Sequence, residues 1–235
     1  MRSFYALYRM AKAFHQYKNP SISVDIVLFG YHESRLSILL INRKEEPYAD
    51  RWTLPGGFLR MEETLLQTCR RILKEKTGFS KLYLEQLFSF DALHRDPRRR
   101  VISIAYYGLI NSFYYQLVLS KIANDIKWCS VHHLPPLGFD HREIYKLALR
   151  RLRDKILYFP IGFELLHGEF TLPELHDLYE CILDRTLDRR NFRKKMLDAS
   201  YILPTGKKKS GLQHRHPDLY KFNRDIDPHH FKINI

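Results

Sequence analysis

The sequence predicts an α/β (α+β) protein in two parts: a mixed sheet flanked by helices, then a small, strongly basic helical domain. Three observations carry this. Apolar strand-like runs surround one glycine-bounded helical stretch, Gly56 to Phe79. Composition shifts after Tyr158-Phe159-Pro160, as a boundary between domains does. The forty residues from Arg185 to Arg224 hold a net +9 of the chain's formal +13, an asymmetry that points to a polyanionic partner. With 235 residues, 45% of them hydrophobic, the chain has room for one ordinary packed domain and a second small one. We divide it into an extension at 1–20, a first domain at 21–155 and a second at 160–235.

Residues 1–18 lack the apolar run and small-residue cleavage site of a signal peptide. Phe4, Leu7, Tyr8, Ala11 and Phe14 instead fit one side of a short amphipathic helix. Val24, Ile26 and Leu28 alternate with Asp25, Val27 and Phe29 as in a strand running to Gly30. Leu36 to Ile41 is a second strand, apolar enough to be central. Pro55, Gly56 and Gly57 make a turn in which backbone approaches another group closely. Thr64 with Gln67 is a capping box. It opens a helix whose stripe is Leu65, Leu66, Cys69, Ile72 and Leu73, and Gly78 ends it. Tyr83–Phe90 and Val101–Leu109 follow as strands around the polar loop DALHRDPRRR, and Lys127–Val131 as a last short one. Asp140 and Glu143 read as a second capping box before a helix through Ile144, Leu147 and Leu152.

In the second part, Thr171 and Glu174 cap a helix through Leu175, Leu178, Tyr179 and Ile182. The turn Asp184–Leu187 leads to a helix capped by Asp188, with Phe192, Met196 and Leu197 facing inward. Tyr201–Leu203, a turn at Pro204-Thr205-Gly206, and a returning strand at Leu219–Asn223 make a basic hairpin. Helix, turn, basic helix, hairpin is the order of a winged helix-turn-helix. Its second helix reads bases in the major groove while lysines and arginines hold phosphates. Arg189, Arg190, Asn191, Arg193, Lys194 and Lys195 are therefore the candidates on the helix. Lys207, Lys208, Lys209 and Arg215 are those on the wing. Cys69, Cys129 and Cys181 have no disulfide or metal spacing, which suits buried thiols in a reducing cytoplasm. No run of 18 apolar residues predicts a membrane span.

The frame Gly57, Glu63, Arg71, Leu73, Glu75, Gly78, Phe79 resembles the box of the Nudix hydrolases. There, the helix positions matching 72, 75 and 76 carry three carboxylates that hold Mg²⁺ or Mn²⁺ against a diphosphate. Hard cations require such oxygen ligands. Here Ile72 and Lys76 stand at two of the three, so the charge of that face goes from −3 to zero. A unit pair at 4 Å is worth roughly 4 kcal/mol at an effective dielectric near 20, so Glu75 alone cannot replace what is lost. The resemblance implies a Nudix-like α/β/α sandwich without catalytic residues, metal or cofactor.

With the second half added, through WTLPGGF (52–58), LEQLFSF (84–90), HRDPRRRVISIAYYGLI (94–110) and LDRRNFRKKM (187–196), the chain resembles the Nudix-related transcriptional regulators. In these a degenerate Nudix domain senses a small molecule and a winged helix binds operator DNA. The segments PIGFELL and FTLPELHDLYE (160–166, 170–180) are similar to those of arabinose-responsive regulators of Bacteroides-type bacteria. This implies a pentose such as L-arabinose as effector, whereas better-known family members answer ADP-ribose. A homodimer is implied in the same way.

Arg43, Arg51, Trp52, Phe58, Asp91, Arg95, Asp96 and Arg100 are the polar and aromatic candidates near the box. A sugar needs carboxylates, amides and a stacking ring; a diphosphate needs basic groups. A salt-bridged turn at His94–Pro97 would use up some of these residues. Two other functions remain open: a Nudix hydrolase using Glu63, Glu75 and a distant acid, and a C-terminal module for RNA or protein.

Overall fold

In a computed structural model, the structure describes residues 19–79, 82–111, 123–159, 161–198, 200–210, 216–223 and 225. The expected amphipathic helix of the extension, and Arg215, lie outside them. Among the described residues, nine strands and four α-helices follow in order: β1 Ser21–His32, β2 Arg35–Arg43, β3 Trp52–Thr53, β4 Gly56–Phe58, α1 Leu65–Thr77, β5 Tyr83–Phe90, β6 Val101–Asn111, β7 Ala123–Ser130, α2 His141–Lys155, α3 Leu172–Leu183, α4 Arg189–Asp198, β8 Ile202–Lys208 and β9 Asp218–Phe222. A short 3₁₀ turn, Ile161–Glu164, precedes α3.

The seven-stranded sheet has the path β3-β2-β1-β6-β5, with β4 paired to β1 and β7 to β2. β1 runs parallel to β6 over its whole length and antiparallel to β4 near its start and to β2 near its end. It is longer than expected and buried from Ser23 to Tyr31, because both its faces are covered. On one face Val24, Ile26 and Leu28 pack with Cys69, Ile72, Leu73 and Phe79 of the α1 segment. On the other, Val27 and Phe29 join Ile144, Ala148 and Leu152 of α2, and the same apolar cluster continues through Leu175, Leu178, Phe192, Ile202 and Tyr220. The result is an α/β/α sandwich whose second layer merges with the C-terminal domain.

The capping boxes at Thr64 and Thr171 form with both reciprocal bonds, and Gly78 ends α1 in the left-handed region. Other expectations differ. Asp140 precedes α2 but makes no side-chain cap, since its carboxylate turns to Arg95. Leu66 is 38% exposed, on the solvent edge of the stripe. Pro204-Thr205-Gly206 is no turn: it lies within β8, where the register shifts between Pro204 and Lys208 and Gly206 takes φ 76°. Thr205 Oγ1 donates to Leu219 O across this bulge. β7 also starts earlier than its apolar residues suggest, because main-chain pairing to β2 extends to Ala123.

In the C-terminal domain, Phe170 exchanges two main-chain bonds with Tyr220 and stacks 4.4 Å from Phe222. The turn between α3 and α4 is clamped at Leu187, whose N–H donates to Glu180 and whose carbonyl contacts His176 Nε2. Asp188 caps α4 through Asn191 N–H at 2.7 Å.

Candidate functional site

A cleft of about 230 Å³ opens between β1, the box loop, the loop after β5 and the start of α2. Its floor is Asp25, which is buried on β1. Arg95 Nη2 donates to Asp25 at 3.0 Å and to Asp140 at 2.7 Å, and its Nε donates to the second Asp140 oxygen. Ser103 donates to Asp25 at 2.6 Å. His141 Nδ1 accepts from Leu54 N–H, so its other ring nitrogen carries hydrogen and faces Asp25 at 3.4 Å. Burial alone would raise the Asp25 carboxyl, but His141, Arg95 and Ser103 outweigh it and hold the group well below the usual carboxylate range. This network ties β1, the 91–100 loop and α2 together. A Cβ at Gly56 would lie 2.2 Å from Asp25 Oδ1, and glycine alone allows this approach.

The spacing of residues 72, 75 and 76 puts them toward one side of α1, but a fan of side chains spans core to solvent. Ile72 is buried beside Gly57, Glu75 is exposed, and Lys76 is half-buried and lines the cleft. Lys76 Nζ donates to Gly56 O at 2.5 Å. Desolvation, then the nearby Arg43 charge, pushes its ammonium below the usual lysine range.

The remaining box acids are spoken for. Glu63 receives Arg71 at 2.6 and 2.8 Å and Thr68 at 2.9 Å. The Arg71 hydrogen bonds, ahead of any other cause, hold its carboxyl down at about 2. Glu75 sits beside Arg71 and Arg60 at 3.4 and 3.6 Å. An apolar side chain, two arginine-paired carboxylates and an ammonium do not make the oxygen cage that a divalent cation needs.

Of the ligand candidates, Arg43, Phe58, Arg95 and Asp96 line the cleft, whereas Arg51, Trp52, Asp91 and Arg100 do not. Lys127 lies over the Trp52 ring at 4.0 Å, and Arg100 is bound to the Asp91 and Ala92 carbonyls. Asp96 is paired with Arg98, not with Arg95, so the salt-bridged turn forms around a different arginine. Sequence reasoning missed Asp25, Lys44, Arg98, Phe139 and His141, which also line the cleft. Asp25 carried a signal, a charged residue inside an otherwise apolar strand. Five Lys and Arg side chains face three carboxylates there, so the cleft suits an anion. Its volume falls below the usual range of ligand pockets, about 300 Å³ and upward, so a dinucleotide-sized ligand would leave part of itself outside.

At the other end of the molecule Arg189, Arg190, Asn191, Arg193 and Lys194 are exposed on α4, with Lys195 half-buried, while Phe192 and Met196 anchor the helix. Arg193 shares a groove with Lys208 and His216 of the hairpin. Lys207 is paired with Glu169 at 2.8 Å and Lys209 with Glu174 at 2.5 Å, which braces the wing against α3. His176, Asp177 and Glu180 lie close enough together to hold an ion, but His176 and Glu180 are committed to the Leu187 turn.

A Nudix sandwich with an anion-suited cleft, fused to a winged helix with a basic exposed face, defines a class of two-domain proteins with a small-ligand end and a nucleic-acid end. Residues 19–148 match the NUDIX domain and residues 162–222 the NrtR DNA-binding winged helix domain, and the chain belongs to the NrtR family of Nudix–winged-helix proteins. It is 34% identical over 210 residues to the ADPR-responsive transcriptional repressor NtrR of Acinetobacter baylyi, covering 88% of this chain and 83% of that protein. Shewanella oneidensis NrtR, solved with a 27mer DNA, superposes with a TM-score of 0.78 at 32% identity, over 90% of this chain and 97% of its own. The NUDIX domain of that protein, solved with ADP ribose, is 35% identical with a TM-score of 0.54, over 59% and 92% of the two chains. An ADP-ribose pyrophosphatase of Methanocaldococcus jannaschii is 33% identical over 142 residues, 60% of this chain and 80% of its own. Where these relatives have a stated ligand it is ADP-ribose, and the expected kinship with arabinose-responsive regulators finds no support among them.

Proposed function

We propose that this protein is a transcriptional repressor that binds operator DNA through α4 and the β8–β9 hairpin. It responds to ADP-ribose held in the Nudix cleft and does not hydrolyse it. The observation that carries the reading is the pairing, in one chain, of an exposed basic helix and wing with a cationic cleft whose box acids are locked by arginines. The similarity to relatives that respond to or contain ADP-ribose favours that effector over a pentose. The diphosphate would face Arg43 and Lys76, with Phe58 and Phe139 as rings for the sugar or base. Arg51, Trp52, Asp91 and Arg100 would bear on ligand only indirectly, through the loops they hold. We further propose a homodimer working in the cytoplasm, with the effector favouring one spacing of the two winged helices.

Fluorescence anisotropy of labelled DNA from upstream of the gene and its neighbours tests this, with protein titrated at fixed salt with and without ADP-ribose, L-arabinose and xylose. The expected result is tight duplex binding that ADP-ribose alone alters. A response to arabinose instead would restore the pentose reading. Cleavage of ADP-ribose with Mg²⁺ or Mn²⁺ at ordinary enzyme rates would overturn the loss of catalysis. The similarity to an ADP-ribose pyrophosphatase makes that assay necessary.

A further inference from the structure

Among the described residues, three of the cleft's five cations make no ion pair with a carboxylate: Arg43, Lys76 and Lys44, of which Lys44 is exposed. Arg95 is neutralised by Asp25 and Asp140, and Arg98 by Asp96. By contrast, neither Arg43 nor Lys76 makes an ion pair with a described carboxylate. Arg43 Nε donates to the Pro47 carbonyl at 2.9 Å, and its guanidinium lies 5.3 Å from the centre of the Phe139 ring. Lys76 donates to the Gly56 carbonyl, which engages one of its three N–H bonds. A half-buried ammonium hydrogen-bonded to a neutral carbonyl, with Arg43 close by and the Asp25 and Glu75 carboxylates acting only from beyond ion-pair distance, is stabilised further when an anion joins it.

The position is telling. Lys76 stands where the Nudix frame expects an acid, and it reaches from the helix onto the glycine loop that walls the cleft. We propose that the Lys76 ammonium takes the place of a divalent cation here, so that protein cations alone, Lys76 with Arg43, hold the diphosphate of the ligand. The inference rests on the ADP-ribose reading and deepens it. A metal bridging carboxylates to phosphates needs anions on the protein side; an ammonium already anchored to Gly56 needs none. The helix position thus keeps a positive charge against the ligand while the carboxylates are dispensed with. The charge is fixed in the chain, whatever the metal supply.

Isothermal titration of the full-length protein with ADP-ribose tests this in EDTA and again in millimolar Mg²⁺. The dissociation constant of the wild type is expected to be the same in both. Lys76→Met, which keeps length and removes charge, should weaken binding by about tenfold or more, the scale of one charge-assisted hydrogen bond. Lys76→Arg should retain most of the affinity. Lys76→Glu should bind poorly in both buffers, because Ile72 and the arginine-paired Glu63 and Glu75 leave a single new acid without the other ligands that Mg²⁺ needs. Far-ultraviolet circular dichroism of each variant guards against loss of the fold. If EDTA abolishes wild-type binding, or Lys76→Met binds as the wild type does, the proposal is overturned while the ADP-ribose reading stands. If the wild type binds no ADP-ribose in either buffer, that reading fails and the proposal with it.

Discussion

Asp25 is tolerated inside the sheet because His141, Arg95 and Ser103 meet it from three different elements. Its folded pKa is depressed, so its stabilising contribution is complete above the value for an unfolded aspartate, about 3.9. That contribution is lost as pH falls through the lower folded value. Acid unfolding of the protein should therefore steepen below about pH 4, and Asp25→Asn should flatten that dependence. At neutral pH the same variant should cost about 3 kcal/mol in urea unfolding. That is the low end for breaking a buried ion pair, because Arg95 keeps Asp140. The pattern of residues in β1 held a signal for the carboxylate, a charge inside an apolar strand, but sequence reasoning passed over it. That pattern could not reveal the partners, which come from 70, 78 and 116 positions away in the chain. Lys76 is the same case: the box frame marks it as a departure, and only the folded loop shows which oxygen it reaches. Both unexpected parts of the cleft are thus long-range contacts.

Among the elements, those whose signals are local were legible. Thr64 with Gln67 and Thr171 with Glu174 satisfy each other within one helical turn, so spacing alone announces them. Asp140 with Glu143 has identical spacing, but Arg95 offers a stronger, charge-assisted partner and takes the side chain away. Pro204-Thr205-Gly206 has turn composition, but its pairing with β9 continues on either side, so the composition serves a bulge instead. Two outcomes test the reading element. Phe192→Ala empties a fully buried site and should destabilise the protein by about 3–5 kcal/mol, read by thermal or denaturant unfolding. Arg193→Ala removes an exposed charge and should leave stability within about 0.5 kcal/mol. It should weaken cognate DNA by about 1–3 kcal/mol if Arg193 reads a base. If it contacts a phosphate, loss will be uniform across sequences and the salt slope will fall by about one.

Across the whole molecule the two ends are joined by packing as well as by chain. Arg153 of α2 donates to Ile182 O and pairs with Asp184 at the end of α3, and Cys181 contacts Ser34 O of the first sheet turn. One apolar cluster runs from β1 and β2 through α2 to α4 and the hairpin. Asp140, at the head of α2, belongs to the network under the cleft. Ligand in the cleft should therefore slow hydrogen exchange in α2 and α3 as well as in the box loop, and raise the stability of both domains together. At a hundredfold excess over the dissociation constant that gain is about 2.7 kcal/mol. Separate unfolding of the C-terminal half, unmoved by ligand, would count against this coupling. The common core also bears on redesign. Grafting this winged helix onto another sensor would cut through an oily seam, not a tether. A working chimera would have to inherit the underside of α2 and the neighbouring strands, or have that contact rebuilt, before it could change its DNA address.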